Sequence, residues 1–328
     1  MKKFVSITCA LILFAVLIVF PDTAAASALD GLKLCASLII PSLFPFFVAT
    51  KLISELGLAQ WLGKAFAPLS RRLFNVSGSG GTAFIIGVTA GYPMGAAYIA
   101  SLCKNGDISK SEAERLLIFC NNSGPSFIIG AAGVGVFKSS VIGLFLYAVH
   151  ILAAFLGGIM FAPNSVEKYA EPQTVRSSAS FAAAFTDAVK ASVTACMSIC
   201  GFIVAFSVLA GILEKAGAFA AAAKMLSAVF GMELLWSNAL FCGILELGNG
   251  IGAMSGLSVS PINLALAAFI LGWGGISVHF QTLSVIGGTD IKNRPIYNRT
   301  VCYCTYGQCA CTVRRSCFVL KNQYADNC

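Results

Sequence analysis

Apolar runs dominate the chain, and polar residues fall between them in short clusters. The first run, Phe4 to Phe20, follows Met1-Lys2-Lys3 and precedes Pro21-Asp22-Thr23-Ala24-Ala25-Ala26. Its 17 residues are just long enough to span a bilayer. Its basic start and small-residue end also resemble a cleavable signal peptide. Residues 1–30 therefore read as an N-terminal span or signal-like segment; we prefer a retained span, with Lys2 and Lys3 keeping the N-terminus in the cytoplasm. Leu32 to Ile53 is the next run, and Pro41 and Pro45 predict a kink or interruption within it. Lys51 to Arg72, with Lys64 and Arg71, reads as an interfacial amphipathic segment, and Val76-Ser77-Gly78-Ser79-Gly80-Gly81 as a flexible joint. Ser109 and Glu112 fit a capping box at a helix start. Ser140 to Phe161 spans. Ala182 to Leu213 is one long helix or two, and Leu234–Leu247, Ile251–Gly256 and Ile262–Ile286 complete the apolar set.

The stretch from Phe84 to Gly135 breaks this regularity. Gly91-Tyr92-Pro93-Met94-Gly95 and Asn121-Asn122-Ser123-Gly124-Pro125 interrupt apolar flanks that no soluble loop would carry. Irregular backbone at membrane depth survives only when buried in protein or lining a wet cavity, and broken helices of this kind hold solutes in transporters.

A repeat accompanies the breaks. Phe127 to Val136 lines up with Phe269 to Val278, and Gly91 to Ala96 with Gly248 to Ala253; Phe84 with Phe241 and Lys33 with Lys190 fall in step with the latter match. The expected organisation is a repeat over 31–162, a polar linker over 163–180, a second repeat over 181–297 and a Cys-rich tail over 298–328. The fold class is an all-α polytopic membrane protein of two repeated halves, expected to be inverted, with broken or re-entrant helices.

Composition supports the membrane. The 328 residues are 57% hydrophobic and 11% charged, with mean hydropathy +0.83, against roughly 25% charged in soluble domains. The net charge of +8 is scattered over span ends and tail, which suits topology signals better than nucleic acid. Seven of the 13 Cys lie singly in apolar surroundings, and six crowd into the last 27 residues. That tail admits a zinc knot, but a shifted reading frame explains the abrupt change better. An oligomer is compatible with the sequence.

Candidate chemistry gathers at the breaks. Gly91, Tyr92, Pro93 and Gly95 present either a backbone opened to a ligand or close helix packing. Asn121, Asn122 and Ser123 are placed to cap a half-helix whose positive end suits a small anion such as a carboxylate, or to cap a helix at the membrane surface. Glu246, among Leu245 and Leu247, is costly in a bilayer and reads as the site of a coupling H⁺ or Na⁺, with Asn249 nearby; the alternative is a span end at the headgroups. His279 and Gln281 follow Gly272-Trp273-Gly274-Gly275, and His279 is either a titrating group or a satisfied core residue. His150 lies in a smooth span and reads as core. Before residue 300 the sequence contains no metal-ligand spacing, phosphate loop or nucleophile–base pair, so an enzyme is not expected. These residues predict a carrier for a small solute; a membrane scaffold that recruits partners is the alternative.

With Pro41-Ser42-Leu43-Phe44-Pro45-Phe46-Phe47, Gly91 to Ala96, Asn121 to Pro125 with Phe127-Ile128, and Gly272 to Gly275 with Ser277-Val278-His279 and Gln281, the chain resembles sporulation integral membrane proteins of the YlbJ (SpoVV) type. These carry the gate, or nucleoside-recognition, domain shared with concentrative nucleoside transporters. The resemblance covers about residues 30 to 297. It implies a bacterial membrane carrier that moves dipicolinate from mother cell toward forespore, across the outer forespore membrane; a nucleoside is the alternative solute. After Pro295 the family continues into another apolar helix, where this chain has its Cys-rich tail.

Overall fold

The computed structural model describes residues 2–162, 180–230 and 233–291, and every regular element among them is a helix. The expected linker, apart from its last residue Ser180, and the Cys-rich tail lie outside the described residues.

Helix α1 (Lys2–Val19) meets α2 (Pro21–Leu34) at Pro21, whose missing N–H is harmless at a first helical turn. The expected interruption at Pro41 does not occur. Instead α2 passes through a π-helical turn, Cys35–Ile39, into α3 (Ile40–Glu55). The Ile40 N–H reaches back five residues to the Cys35 carbonyl, so the change of register falls immediately before the proline that cannot donate. The result is one apolar helix over Pro21–Ile53.

Helix α4 (Leu58–Phe74) then meets α5 (Gly78–Ala90) at a bend of 95° between Trp61–Phe74 and Gly78–Ala90. The segment expected to be a flexible joint is instead a buried, capped helix start. Ser77 Oγ accepts the Gly80 N–H at 3.0 Å, and the Ser77 N–H donates to Glu112 Oε1 at 2.6 Å. Gly80 and Gly81 sit in close quarters: a Cβ on Gly81 would stand 2.8 Å from Ser70 Oγ of α4, and one on Gly80 2.8 Å from Glu112 Oε1. Glu112, expected in a local capping box, thus also bonds across to α5.

Helices α6 (Met94–Lys104) and α7 (Lys110–Phe119) follow, then a π-helical stretch, Ser126–Val136, and α8 (Ser140–Met160). The remaining described chain forms α9 (Phe181–Lys215), a single 35-residue helix, then α10 (Ala218–Phe230), α11 (Leu234–Leu245), α12 (Leu247–Ala253), α13 (Pro261–Trp273) and α14 (Gly275–Ile286). Among the described residues, four helices can cross a membrane by length and composition: Pro21–Ile53, Ser140–Met160, Phe181–Lys215 and Pro261–Ile286; the bent α4–α5 pair is either a fifth, broken span or a re-entrant element. Large apolar side chains face outward on them, including Val141, Leu144 and Met160 on α8 and Phe181, Val193 and Met197 on α9. Lipid would cover these surfaces.

Two stretches share one element order: a helix, a two-helix unit, and a helix pair separated by a short break. They are α4 with α5, α6, α7 and the π-stretch, and α10 with α11, α12, α13 and α14. The breaks correct the register of one sequence match. Phe127 follows its break at residues 120–125, whereas Phe269 precedes its break at Gly274, so the two phenylalanines do not occupy equivalent places.

Candidate functional site

Two hairpins enter the protein and turn back inside it. A Cβ on Gly95 would lie 3.1 Å from Gly87 Cα, although eight helical residues span about 12 Å. The chain therefore reverses between α5 and α6, at Gly91-Tyr92-Pro93, with Gly91 at φ +81°. The second reversal lies between α11 and α12, where the Gly243 and Gly250 backbones touch and Glu246 alone forms the turn, in an extended conformation.

Two helix breaks face these tips. Helix α7 gives way to the π-stretch through Asn121–Pro125, and α13 to α14 through Gly274 and Gly275, at φ +77° and +81°. Each tip interlocks with a break. Gly124 presses on the first tip, where a Cβ would stand 2.9 Å from the Ala90 carbonyl oxygen; Gly275 presses on the second, where a Cβ would stand 2.9 Å from the Leu247 nitrogen. Tyr92 crosses from the first tip to the second break, its ring 3.3 Å from a Cβ built on Gly274. The Ser123 Oγ donates to the Leu271 carbonyl at 3.3 Å, and Asn121 Nδ2 donates to Thr282 Oγ1 at 2.9 Å, joining the first break to α13 and α14.

Both tips, the first break and α14 beyond the second break meet at a narrow cavity of about 40 Å³, with room only for water. Its polar wall is Tyr92, Ser123, Glu246 and Gln281, and among the described residues no Lys or Arg lines it. Glu246 is 2% exposed, and its Oε2 accepts the Asn249 N–H at 2.7 Å, capping α12. A carboxylate at this depth requires such donors.

Of the residues singled out from sequence, Gly91, Tyr92, Ser123, Glu246 and Gln281 line this cavity. The others stand behind or beside it. Gly95 packs with Gly87 against the Cys120 carbonyl, and Pro93 is the buried residue before α6. Gly91 and Gly95 thus divide between the two readings: Gly91 forms the turn, and Gly95 allows close packing. Asn122 Nδ2 turns back to the Phe119 carbonyl at 2.7 Å. Asn121, Asn122 and Ser123 do not cap the π-stretch, whose preceding residue is Pro125 with no side-chain cap. His279 is buried edge-on against Trp273, with ring centroids 4.9 Å apart. Asn249 opens on a separate crevice, where its Nδ2 donates to Ser207 Oγ at 2.9 Å.

His150 was read as an ordinary core residue, and it supports the site. Its Nε2 accepts the Ser123 N–H at 3.1 Å, holding the first break from α8. The available signal was a single polar side chain in an otherwise apolar span.

Re-entrant hairpins locked against broken spans define a helical membrane protein of transporter-like fold. Residues 36–161 match the Gate family, described as nucleoside recognition. The chain is 29% identical over 311 residues to the sporulation integral membrane protein YlbJ of Bacillus subtilis (strain 168), covering 88% of this chain and 76% of that protein. The resemblance carried by the sequence motifs is thereby borne out. Two solved structures of the concentrative nucleoside transporter CNTnw share the fold. A variant in an intermediate 3 state gives a TM-score of 0.55, covering 95% of this chain and 83% of that one. A variant in an outward-facing state gives 0.50, covering 95% and 82%. Both are 13% identical to this chain.

Proposed function

We propose that this protein carries a small anionic solute across a bacterial membrane by alternating access, bound where the two hairpin tips meet the two helix breaks. The two stretches of shared element order serve as the inverted halves. The observation that carries the reading is the convergence on one cavity of Gly91, Ser123 and Glu246, from three separate interruptions, with Gln281 of α14. Sites built from discontinuous helices at a repeat interface are the transporter pattern.

Dipicolinate, moved toward the forespore across its outer membrane, is the solute that the family resemblance suggests. The cavity adds a requirement. With no Lys or Arg on its wall among the described residues, an anion beside ionised Glu246 would be repelled in a medium of low dielectric. Glu246 must therefore be neutralised by a proton or a sodium ion for the anion to bind, which makes coupling a condition of binding. A nucleoside is the second reading, favoured by the same wall: an uncharged sugar needs no cation and can donate hydroxyls to a carboxylate.

Thermal stabilisation of the purified protein separates them. A ligand specific to the folded state adds about 2.7 kcal/mol at a hundredfold excess over its Kd. A saturable shift with dipicolinate that requires Na⁺ or low pH supports the anion carrier. A cation-independent shift with nucleosides replaces the solute. No shift from a folded sample rejects the carrier in favour of a scaffold.

A further inference from the structure

A second cavity lies beside the second hairpin. It is a crevice of about 330 Å³ between α2, α9 and α12, roomier than the central cavity by the ratio of 330 to 40. A water needs only about 10–15 Å³ on this scale. Its wall is polar. Ser27 and Asp30 come from α2, Ser207 and Glu214 from α9, and Gly248 and Asn249 from α12. Asp30 and Glu214 are exposed; Asp30 pairs with Lys33 at 3.2 Å, and among the described residues no Lys or Arg lines the crevice itself.

Gly248 and Asn249, on the crevice wall, back onto the Glu246 carboxylate. Glu246 and Leu247 face the central cavity, and the next two residues, Gly248 and Asn249, face the crevice. The partition at this point is a glycine: a Cβ on Gly248 would stand 3.0 Å from Glu246 Oε2. Asn249 touches both sides, its backbone N–H on Glu246 Oε2 and its side chain on Ser207. The thiols of Cys35 and Cys242 lie within reach of the Glu246 charge.

We propose that this crevice is the aqueous route by which a small monovalent cation, a proton or a sodium ion, reaches Glu246 on a different face of the hairpin from the solute. Acidic side chains on its wall raise the local cation concentration, and a polar, water-sized channel beside broken backbone is where an intramembrane carboxylate can exchange its charge. Solute and cation then need not pass one another. The inference rests on the reading of Glu246 as the coupling carboxylate.

Gly252 offers a plug. It lines the crevice, and a Cβ there meets nothing within 4 Å, so a larger side chain fits without displacing backbone. Labelling of Glu246 by a hydrophilic carbodiimide, mapped by mass spectrometry on the full-length protein, reads the route without transport. Glu246→Gln sets the background. Wild type and Gly252→Ala are expected to label alike, and Gly252→Leu more slowly by about an order of magnitude. Protection by NaCl over choline chloride would identify sodium, and dependence on pH alone the proton. Labelling of Gly252→Leu at the wild-type rate overturns the proposal. If that variant misfolds, Asp30→Asn takes its place: more Na⁺ or more protons should be needed for equal effect, and an unchanged titration overturns the proposal. A route that plugs as expected, in a protein whose proteoliposomes show no cation-coupled uptake, would leave the route standing and sink the carrier.

Discussion

The Nε2 of His150 accepts the backbone N–H of Ser123 across 3.1 Å, so a side chain on α8 fixes a helix break 27 residues earlier in the chain. Both residues are buried, at 4% and 1% exposure, and water cannot substitute. His150→Phe should strand the Ser123 N–H and destabilise the protein by about 1–3 kcal/mol. His150→Gln, which keeps an acceptor, should recover part of the loss. Thermal unfolding in detergent measures both. Equal midpoints for the Phe and Gln variants would show that the bond contributes little.

Gly91 combines φ +81° with backbone contact to Gly124. Gly91→Ala should therefore destabilise by about 1–3 kcal/mol from the backbone conformation alone, with the contact adding to it. Gly252→Ala is the control, since it sits in a helix facing open space; it should be neutral or gain about 0.4–1 kcal/mol. Comparable losses in the two variants would contradict the interlocked tip.

Glu246 caps α12 and, in the proposed function, also holds the coupling charge. Glu246→Gln keeps an oxygen for the Asn249 N–H and should remain folded, while any Na⁺ or pH dependence of solute binding disappears. Glu246→Ala loses the cap as well and should cost about 0.5–2 kcal/mol more. Ligand titrations by thermal shift, with and without Na⁺, test this; cation dependence surviving in Glu246→Gln would move coupling elsewhere.

Lys110 at the start of α7 donates to Asp290 just past α14 at 2.7 Å, on the exposed surface. The hydrogen bond and charge of Lys110 hold the Asp290 carboxyl below its ordinary range, and the hydrogen bond to Asp290 raises Lys110. The Asp290 contribution is present above its unfolded value, near 3.9, and is lost as pH falls through its lower folded value. The Lys110 contribution is present below about 10.4 and is lost as pH rises through its higher folded value. Between those limits the pair adds a constant. Lys110→Ala should lower the unfolding midpoint slightly at neutral pH and low salt, and not at all in strong salt. A large loss that persists in salt would point to another role for Lys110.

Much of the site was legible because its chemistry is local. Gly91, Pro93 and the Asn121–Pro125 run interrupt apolar sequence, and a chain in lipid interrupts its helices only where the protein provides for it. Glu246 stood out because a bilayer penalises it. Less could be read where the meaning of a residue depends on distant contacts. Ser77 to Gly81 look flexible until α4 crosses them and Glu112 bonds to Ser77. His150 looks inert until Ser123 folds against it. Pro41 looks like a break because a one-residue change of helical register leaves no mark in composition. Phe127 and Phe269 match as words and differ in place because short apolar phrases recur on either side of a break.

The central cavity, at about 40 Å³, has room for little more than water. A solute that binds there must first part the tips, so its apparent affinity is its intrinsic affinity divided down by the scarcity of the parted form. Each 1.4 kcal/mol of opening free energy weakens apparent binding about tenfold. Substitutions that loosen the grip of Gly124 on Gly91, or of Gly275 on Leu247, would then make the protein melt earlier and hold its solute more tightly. Under the proposed function, stability and affinity are opposed by construction.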